Sequence, residues 1–193
     1  MKVGVLAVQG AFAAHLHMLT AVGATAFEVR TPAQLADADR LVVPGGESTT
    51  MSMMIERSGL DGPLREWVDS GRPTFGTCAG AILLASEIVD GRDDQLCLGA
   101  LELTVRRNAF GRQVDSFEAD LAVEGLDGEP FHAVCIRTPR IETVGDTVSV
   151  LAGIDGSPAL VRSGPVMAAT FHPELSGDTR LHELFCQLPV SGS

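Results

Sequence analysis

Pro73-Thr-Phe-Gly-Thr-Cys78-Ala-Gly80-Ala-Ile-Leu-Leu-Ala85 reads as a short strand, an abrupt turn carrying one cysteine, and an apolar helix. The spacing Gly76-x-Cys78-x-Gly80 fits a nucleophile elbow, in which the reactive side chain is held on a sharp strand-to-helix turn. Glycine on either side lets the backbone turn tightly without a Cβ meeting the neighbouring chain. A thiol at the start of a helix is favoured as the thiolate, the form that attacks. A cysteine buried only for packing needs neither glycine, so Cys78 is the candidate nucleophile.

Upstream of this stretch, strand and helix patterns alternate. Residues 3–8 form a continuous apolar run of the kind buried on both faces of a sheet, and Gln9-Gly10 turns the chain. A helix follows with Phe12, Leu16 and Leu19 at helical spacing and Gly23 as its C-cap. His15 and His17 lie two apart on it, face different ways, and are expected at the surface rather than on a metal. Residues 26–30 suit a second strand, and Thr31-Pro32 opens a short helix. Leu41-Val42-Val43 is a third strand that runs into Pro44-Gly45-Gly46-Glu47-Ser48-Thr49-Thr50. This turn lacks the Gly-Lys-Ser/Thr ending of a phosphate loop, but its free N–H groups suit an oxyanion. Helices are expected over 51–57 and 64–70. The order implies an α/β fold of flavodoxin-like type, a doubly wound and mostly parallel sheet that binds ligands beyond its carboxyl ends.

After Gly91 the pattern changes. Residues 101–105, 116–123, 131–137, 148–152 and 159–162 read as short strands without amphipathic helices between them, hence antiparallel additions in the C-terminal half. Residues 166–171 return to a core strand ending in His172-Pro173-Glu174, and a closing helix is expected over 179–188. No linker or repeat divides the chain, so a single domain over 1–193 is expected.

A thiol nucleophile needs a base, and the base needs a group that holds its tautomer. His172 ends a core strand at the same sheet edge as Cys78, and Glu174 can accept from its Nδ1–H while Nε2 serves the thiol. His132, within a strand pattern, and His182, on the last helix where a surface place is the simpler account, lack a carboxylate so placed. Arg106 and Arg107 begin a basic run, and Arg137 ends a strand; arginine at such places recognises carboxylates.

The chain has 193 residues, 45% hydrophobic and 20% charged, with a net charge of −11. No basic stripe favours nucleic acid. Cys78, Cys97, Cys135 and Cys186 are scattered without a Cys-x-x-Cys pair, which disfavours zinc and thioredoxin-like chemistry. No apolar run approaches the roughly 20 residues that span a bilayer, and no long apolar segment opens the chain. No membrane association is expected, and a reducing cytoplasm is the expected setting for a free thiol.

Four stretches together resemble the triad-type (class I) glutamine amidotransferases. They are residues 3–10, Pro44-Gly-Gly-Glu-Ser-Thr-Thr50, Phe75-Gly-Thr-Cys-Ala-Gly80 and Phe171-His-Pro-Glu-Leu175. Arg107-Asn-Ala-Phe-Gly-Arg-Gln113, followed by Asp115-Ser-Phe-Glu118, is similar to the vitamin B6 branch, the glutaminase subunits of pyridoxal phosphate synthase. The resemblance implies Cys78 as nucleophile, His172 as base and Glu174 as orienter. It implies L-glutamine contacts from Gly46, Glu47, Ser48, Arg107, Ile136 and Arg137, an oxyanion hole at Gly46 and Ala79, and Gln9 near the ammonia exit. Because glutamine is a zwitterion, its α-carboxylate is assigned to Arg107 and its α-ammonium to Glu47. The resemblance implies no metal or organic cofactor and a (β/α)8-barrel synthase as partner. Cys135 stands where a larger apolar residue is expected, and Thr138 where alanine is usual. Two other readings of the residues are a stand-alone cysteine amidase or thioesterase and a non-catalytic redox sensor. The sensor has no use for His-Pro-Glu or the Gly45-Gly46 turn.

Overall fold

The computed structural model describes residues 1–92, 94–107 and 116–189. Most of the Arg107-to-Gln113 stretch, Asp115 and the last four residues lie outside the described residues. The first half alternates as expected: β1 (Lys2–Leu6), α1 (Phe12–Ala21), β2 (Thr25–Val29), α2 (Pro32–Ala36), β3 (Arg40–Val43), α3 (Ser48–Arg57), α4 (Asp61–Asp69), β4 (Thr74–Thr77) and α5 (Ala79–Leu84). Then follow β5 (Ala85–Ile88), β6 (Leu101–Arg106), β7 (Ser116–Leu121), β8 (Phe131–Ile136), β9 (Arg140–Val144), β10 (Ser149–Ile154), β11 (Ser157–Ser163) and β12 (Val166–Ala169). A 3-10 turn (Pro173–Leu175) and α6 (Arg180–Cys186) complete the chain.

The main sheet runs β10-β11-β12-β4-β3-β1-β2. Strands β12, β4, β3, β1 and β2 are parallel, and β11 and β10 continue the sheet antiparallel. The C-terminal additions divide between this extension and two small sheets, β5-β6-β9 and β7-β8. Strand alternation sends Leu6, Leu41 and Val43 to one face, under α3, α4, α5 and the β5-β6-β9 sheet. Val3, Val5, Val42 and Phe75 go to the other, under α1, α6 and the β7-β8 hairpin. Among the described residues no helix is long and apolar enough to cross a membrane.

Two strands depart from the sequence expectation. The apolar helix expected after Cys78 forms as α5 and stops at Leu84; Ala85 is extended, with φ −65° and ψ 160°, and opens a strand that the sequence did not announce. Strand β5 is recruited by pairing with β6, where the Ser86 hydroxyl donates to the Leu103 carbonyl at 3.0 Å and accepts from its N–H at 3.1 Å. Strand β9 presents Ile141 as its one fully buried side chain, too little apolar alternation to announce a strand.

Glycine decides how closely α5 can dock. A Cβ on Gly80 would lie 1.9 Å from the Val43 carbonyl oxygen, whereas one on Gly62 in α4 meets nothing within 4 Å. Gly80→Ala is therefore expected to destabilise the fold by at least about 2 kcal/mol. Gly62→Ala is expected to stabilise it by about 0.5 kcal/mol. Urea unfolding midpoints of the two variants check both signs.

Candidate active site

Because β12, β4, β3 and β1 are adjacent and parallel, their carboxyl ends open side by side at one edge. Their loops supply His172 and Glu174, Cys78, the Gly45-Gly46-Glu47 turn, and Gln9-Gly10 respectively. At strand spacings of about 4.8 Å the four loops fall within ~15 Å. They enclose a cleft of about 290 Å³ whose lining includes Cys78, His172, Gly46, Glu47, Ser48 and Ala79. Arg107, Ile136 and Arg137 reach the same cleft from β6 and β8. Gln9 and Glu174 stand behind the lining.

Cys78 has φ 49° and ψ −106°, a conformation that costs a non-glycine residue about 1–3 kcal/mol. It is held by a 2.8 Å hydrogen bond from its N–H to the Ala169 carbonyl at the end of β12. Cys78 is 6% exposed, with Sγ 3.9 Å from the Ile136 carbonyl. Cys97, Cys135 and Cys186 are free thiols whose ionisation burial pushes upward, which makes them poorer nucleophiles.

His172 Nδ1 lies 2.7 Å from Glu174 Oε1. Burial opposes the charged ring, but hydrogen bonds with Cys78 and Glu174 and their charges outweigh it, and lift His172 from 6.5 to about 10. Glu174 is 5% exposed; burial would raise it, yet the hydrogen bond with His172 and the charge of that ring hold it below the usual carboxylate range. The pair is thus an imidazolium and a carboxylate at neutral pH.

The Gly45-Gly46 turn is tethered from both sides. The Gly45 carbonyl accepts from the Ala11 N–H at 2.9 Å, and Gln9 Oε1 accepts from the Glu47 N–H at 2.8 Å. A Cβ on Gly45 would lie 2.4 Å from His172 Cε1 and 3.2 Å from Cys78 Cβ, so the turn presses against both His172 and Cys78.

Glu47 caps α3: Oε1 accepts from the Thr49 N–H at 3.1 Å, and Oε2 from the Thr50 N–H at 2.7 Å and its hydroxyl at 2.8 Å. Oε1 also pairs with Arg107 Nη2 at 3.0 Å, while Arg107 Nη1 donates to Gln95 Oε1 at 2.9 Å. Burial would raise Glu47, but these capping N–H groups keep it below its ordinary value. Its carboxylate is already taken by partners in the chain, so it orients Arg107 and leaves little to offer an ammonium group.

The structure corrects two histidines expected at the surface. His15 and His182 are fully buried and in contact with each other, whereas His17 is exposed. The signal was present: His15 stands four residues before buried Leu19, and His182 three before buried Phe185. His132 is exposed on β8 between Asp120 and Glu118. No group of three or more His, Cys, Asp or Glu among the described residues could hold a metal ion.

This geometry defines a class, the cysteine-dependent hydrolytic sites carried at the edge of a parallel α/β sheet. The model of the SNO glutamine amidotransferase family matches residues 5–191, and the chain belongs to that family. The pyridoxal 5'-phosphate synthase subunit PdxT of Frankia alni is 54% identical over 187 residues, covering 97% of this chain and 94% of that one. The subunit of the same name from Mycobacteroides abscessus is 54% identical over 190 residues, covering 98% of both. A crystal structure of a glutamine amidotransferase superposes with a TM-score of 0.90 at 50% identity, over 96% of this chain and 97% of that one.

The buried histidines set an acid limit on stability. Burial lowers His15 to about 4 and His182 to about 3, so below pH 6.5 the unfolded chain binds protons that the folded chain refuses. Stability is expected to fall as pH drops from about 6.5 toward 4, reinforced by Glu174. His182→Phe should show a shallower fall across that window in urea titrations, whatever its stability at pH 7.

Proposed function

We propose that this chain is the glutaminase subunit of a pyridoxal 5'-phosphate synthase, hydrolysing L-glutamine and passing ammonia to a (β/α)8-barrel synthase subunit. The observation that carries the chemistry is the convergence of Cys78, His172 and buried Glu174 on a cleft that also holds Arg107. The names of the relatives support the assignment to vitamin B6 synthesis.

The Cys78 thiolate attacks the carboxamide carbon of glutamine, and the N–H groups of Gly46 and Ala79 receive the oxyanion. Because His172 is an imidazolium at neutral pH, it is ready to protonate the leaving nitrogen as the C–N bond breaks. Ammonia departs and a thioester to Cys78 remains. His172, now neutral, takes a proton from water, which attacks the thioester; the C–S bond breaks to release glutamate and return the Cys78 thiolate and the His172 imidazolium. Arg107, steadied by Glu47 and Gln95, binds the α-carboxylate, and the main chain around Ile136 and Arg137 with Ser48 completes the seat. Glu47 acts through Arg107 and the turn rather than on the α-ammonium. Ile136 and Leu175, 37% and 47% exposed at the cleft mouth, offer apolar contact to the barrel subunit. Gln9 stands at the β1 end of the edge, where ammonia would leave. We place the reaction in the cytoplasm, where the thiols stay reduced.

The test is glutamate release with the barrel subunit added. Cys78→Ala is expected to abolish it, and Cys97→Ala, Cys135→Ala and Cys186→Ala to keep most of it. Turnover surviving in Cys78→Ala overturns the assignment. Turnover that is the same with and without the barrel subunit would favour a stand-alone hydrolase.

Arg107 gives a second measurement. Losing one partner of a close charged contact costs ~2–5 kcal/mol, so Arg107→Ala should lower kcat/KM by roughly thirty-fold to a few thousand-fold. Normal glutamine kinetics in that variant would remove Arg107 from the binding site.

A further inference from the structure

Behind the triad lie two histidines for which the reaction has no stated use. His15 on α1 and His182 on α6 are both 0% exposed, an expensive place for ionisable rings kept only for packing. His15 Nδ1 is 3.0 Å from His182 Nε2. His15 Nε2 is 3.1 Å from Thr77 Oγ1 and 3.3 Å from Glu174 Oε2. Thr77 is the residue before Cys78, and Glu174 is the partner of His172. Glu174 Oε2 has no hydrogen-bond donor among the described residues, which leaves His15 as its polar neighbour.

Two proton arrangements fit the His15–His182 contact. With the proton on His15 Nδ1, its Nε2 lone pair faces the Glu174 carboxylate, and His182 keeps a buried Nδ1–H. That N–H has no acceptor among the described residues. With the proton on His15 Nε2, an N–H faces Thr77 and Glu174, and His182 donates its Nε2–H to His15 Nδ1. The His182 Nδ1 lone pair is then unpartnered, and the Thr77 hydroxyl accepts from His15 Nε2–H instead of donating to it. Among the described residues each arrangement leaves one buried donor without an acceptor, but only the first aims a lone pair at the Glu174 carboxylate, so the second prevails.

We infer that His15, its tautomer set by His182, is a positioning residue of the triad: its Nε2–H is bonded to Thr77, and the N–H dipole, 3.3 Å from Oε2, steadies that side of Glu174 electrostatically and so keeps Oε1 aimed at His172 Nδ1. The inference rests on the triad reading given above. Neutrality matters to it. Glu174 and His172 face His15 from the segment after β12, His182 faces it from α6, and Thr77 from β4 is uncharged. Burial keeps His15 and His182 neutral at pH 7, so the Glu174 charge is left to the His172 imidazolium rather than shared with a second cation.

The first test is made on the wild-type chain at pH 7, with 15N-labelled histidine and NMR. His15 is expected protonated at Nε2 and bare at Nδ1; the opposite tautomer, or a doubly protonated ring, overturns the inference. The second uses variants assayed with the barrel subunit. His15→Leu is expected to lower kcat about 10–100-fold with KM little changed, and to lose the downfield His172 Nδ1–H resonance. His15→Gln, whose amide can donate from near the same place, should restore most of both. Wild-type kcat in His15→Leu, or equal losses in both variants with the His172 resonance unchanged, overturns the inference. If the leucine variant does not fold, the wild-type tautomer decides. Cys78→Ala, assayed alongside, separates the two failures: activity there removes the triad reading, whereas the tautomer is read without turnover.

Discussion

The site depends on the backbone at Cys78, where a residue with a side chain is held at positive φ in the interior. Nothing local favours that conformation, and the surrounding contacts have to impose it. The Cys78 N–H is anchored to the end of β12, and Gly80 lets the first turn of α5 lie against the Val43 carbonyl at the end of β3. Cys78 is therefore clamped between the strands that flank β4. Those same strands carry His172 and the Gly45-Gly46 turn, so the constraint that strains Cys78 also sets its distance from them. The five parallel strands make this possible, because all their carboxyl ends open at one edge.

Burying charge at that edge is the second constraint. Glu174 is nearly inaccessible and ionised, which is tolerable only beside a cation and suitable dipoles. The cation is the His172 imidazolium, and the dipole beside Glu174 comes from His15 on α1, backed by His182 on α6. Core packing and catalytic geometry are thus the same contacts: Phe75 stacks with Phe185 at 5.6 Å and edge-on with His182 at 6.1 Å. On the solvent side, Glu47 serves the α3 N-terminus and Arg107 at once. A single carboxylate couples the Gly45-Gly46 turn to the Arg107 guanidinium at the cleft.

The parallel core, the elbow and the His172–Glu174 pair were legible in the sequence because each is a local pattern. An apolar run between glycine turns, a cysteine flanked by two glycines, and a histidine two residues before a glutamate all lie within a few positions of chain. The partition of the C-terminal strands was legible only as a tendency. Strand β5 hides in a helical-looking run and forms because β6 supplies its ladder, and β9 has too little buried face to be seen. How deeply each position of a helix is buried is likewise settled by its neighbours: α1 packs Phe12, Leu16 and Leu19 on the core as their spacing implies, but turns His15 and Met18 deepest in beside Leu19. His15 and His182, separated by 167 positions, acquire meaning only when two helices from opposite ends of the chain pack on one face of the sheet. Glu47 reads from sequence as a free anion for the substrate, and the fold spends its carboxylate on a helix cap and an arginine. The reason is the same in each case: local spacing specifies turns and periodicity, while burial and the occupancy of a hydrogen-bonding group depend on residues far away in the chain.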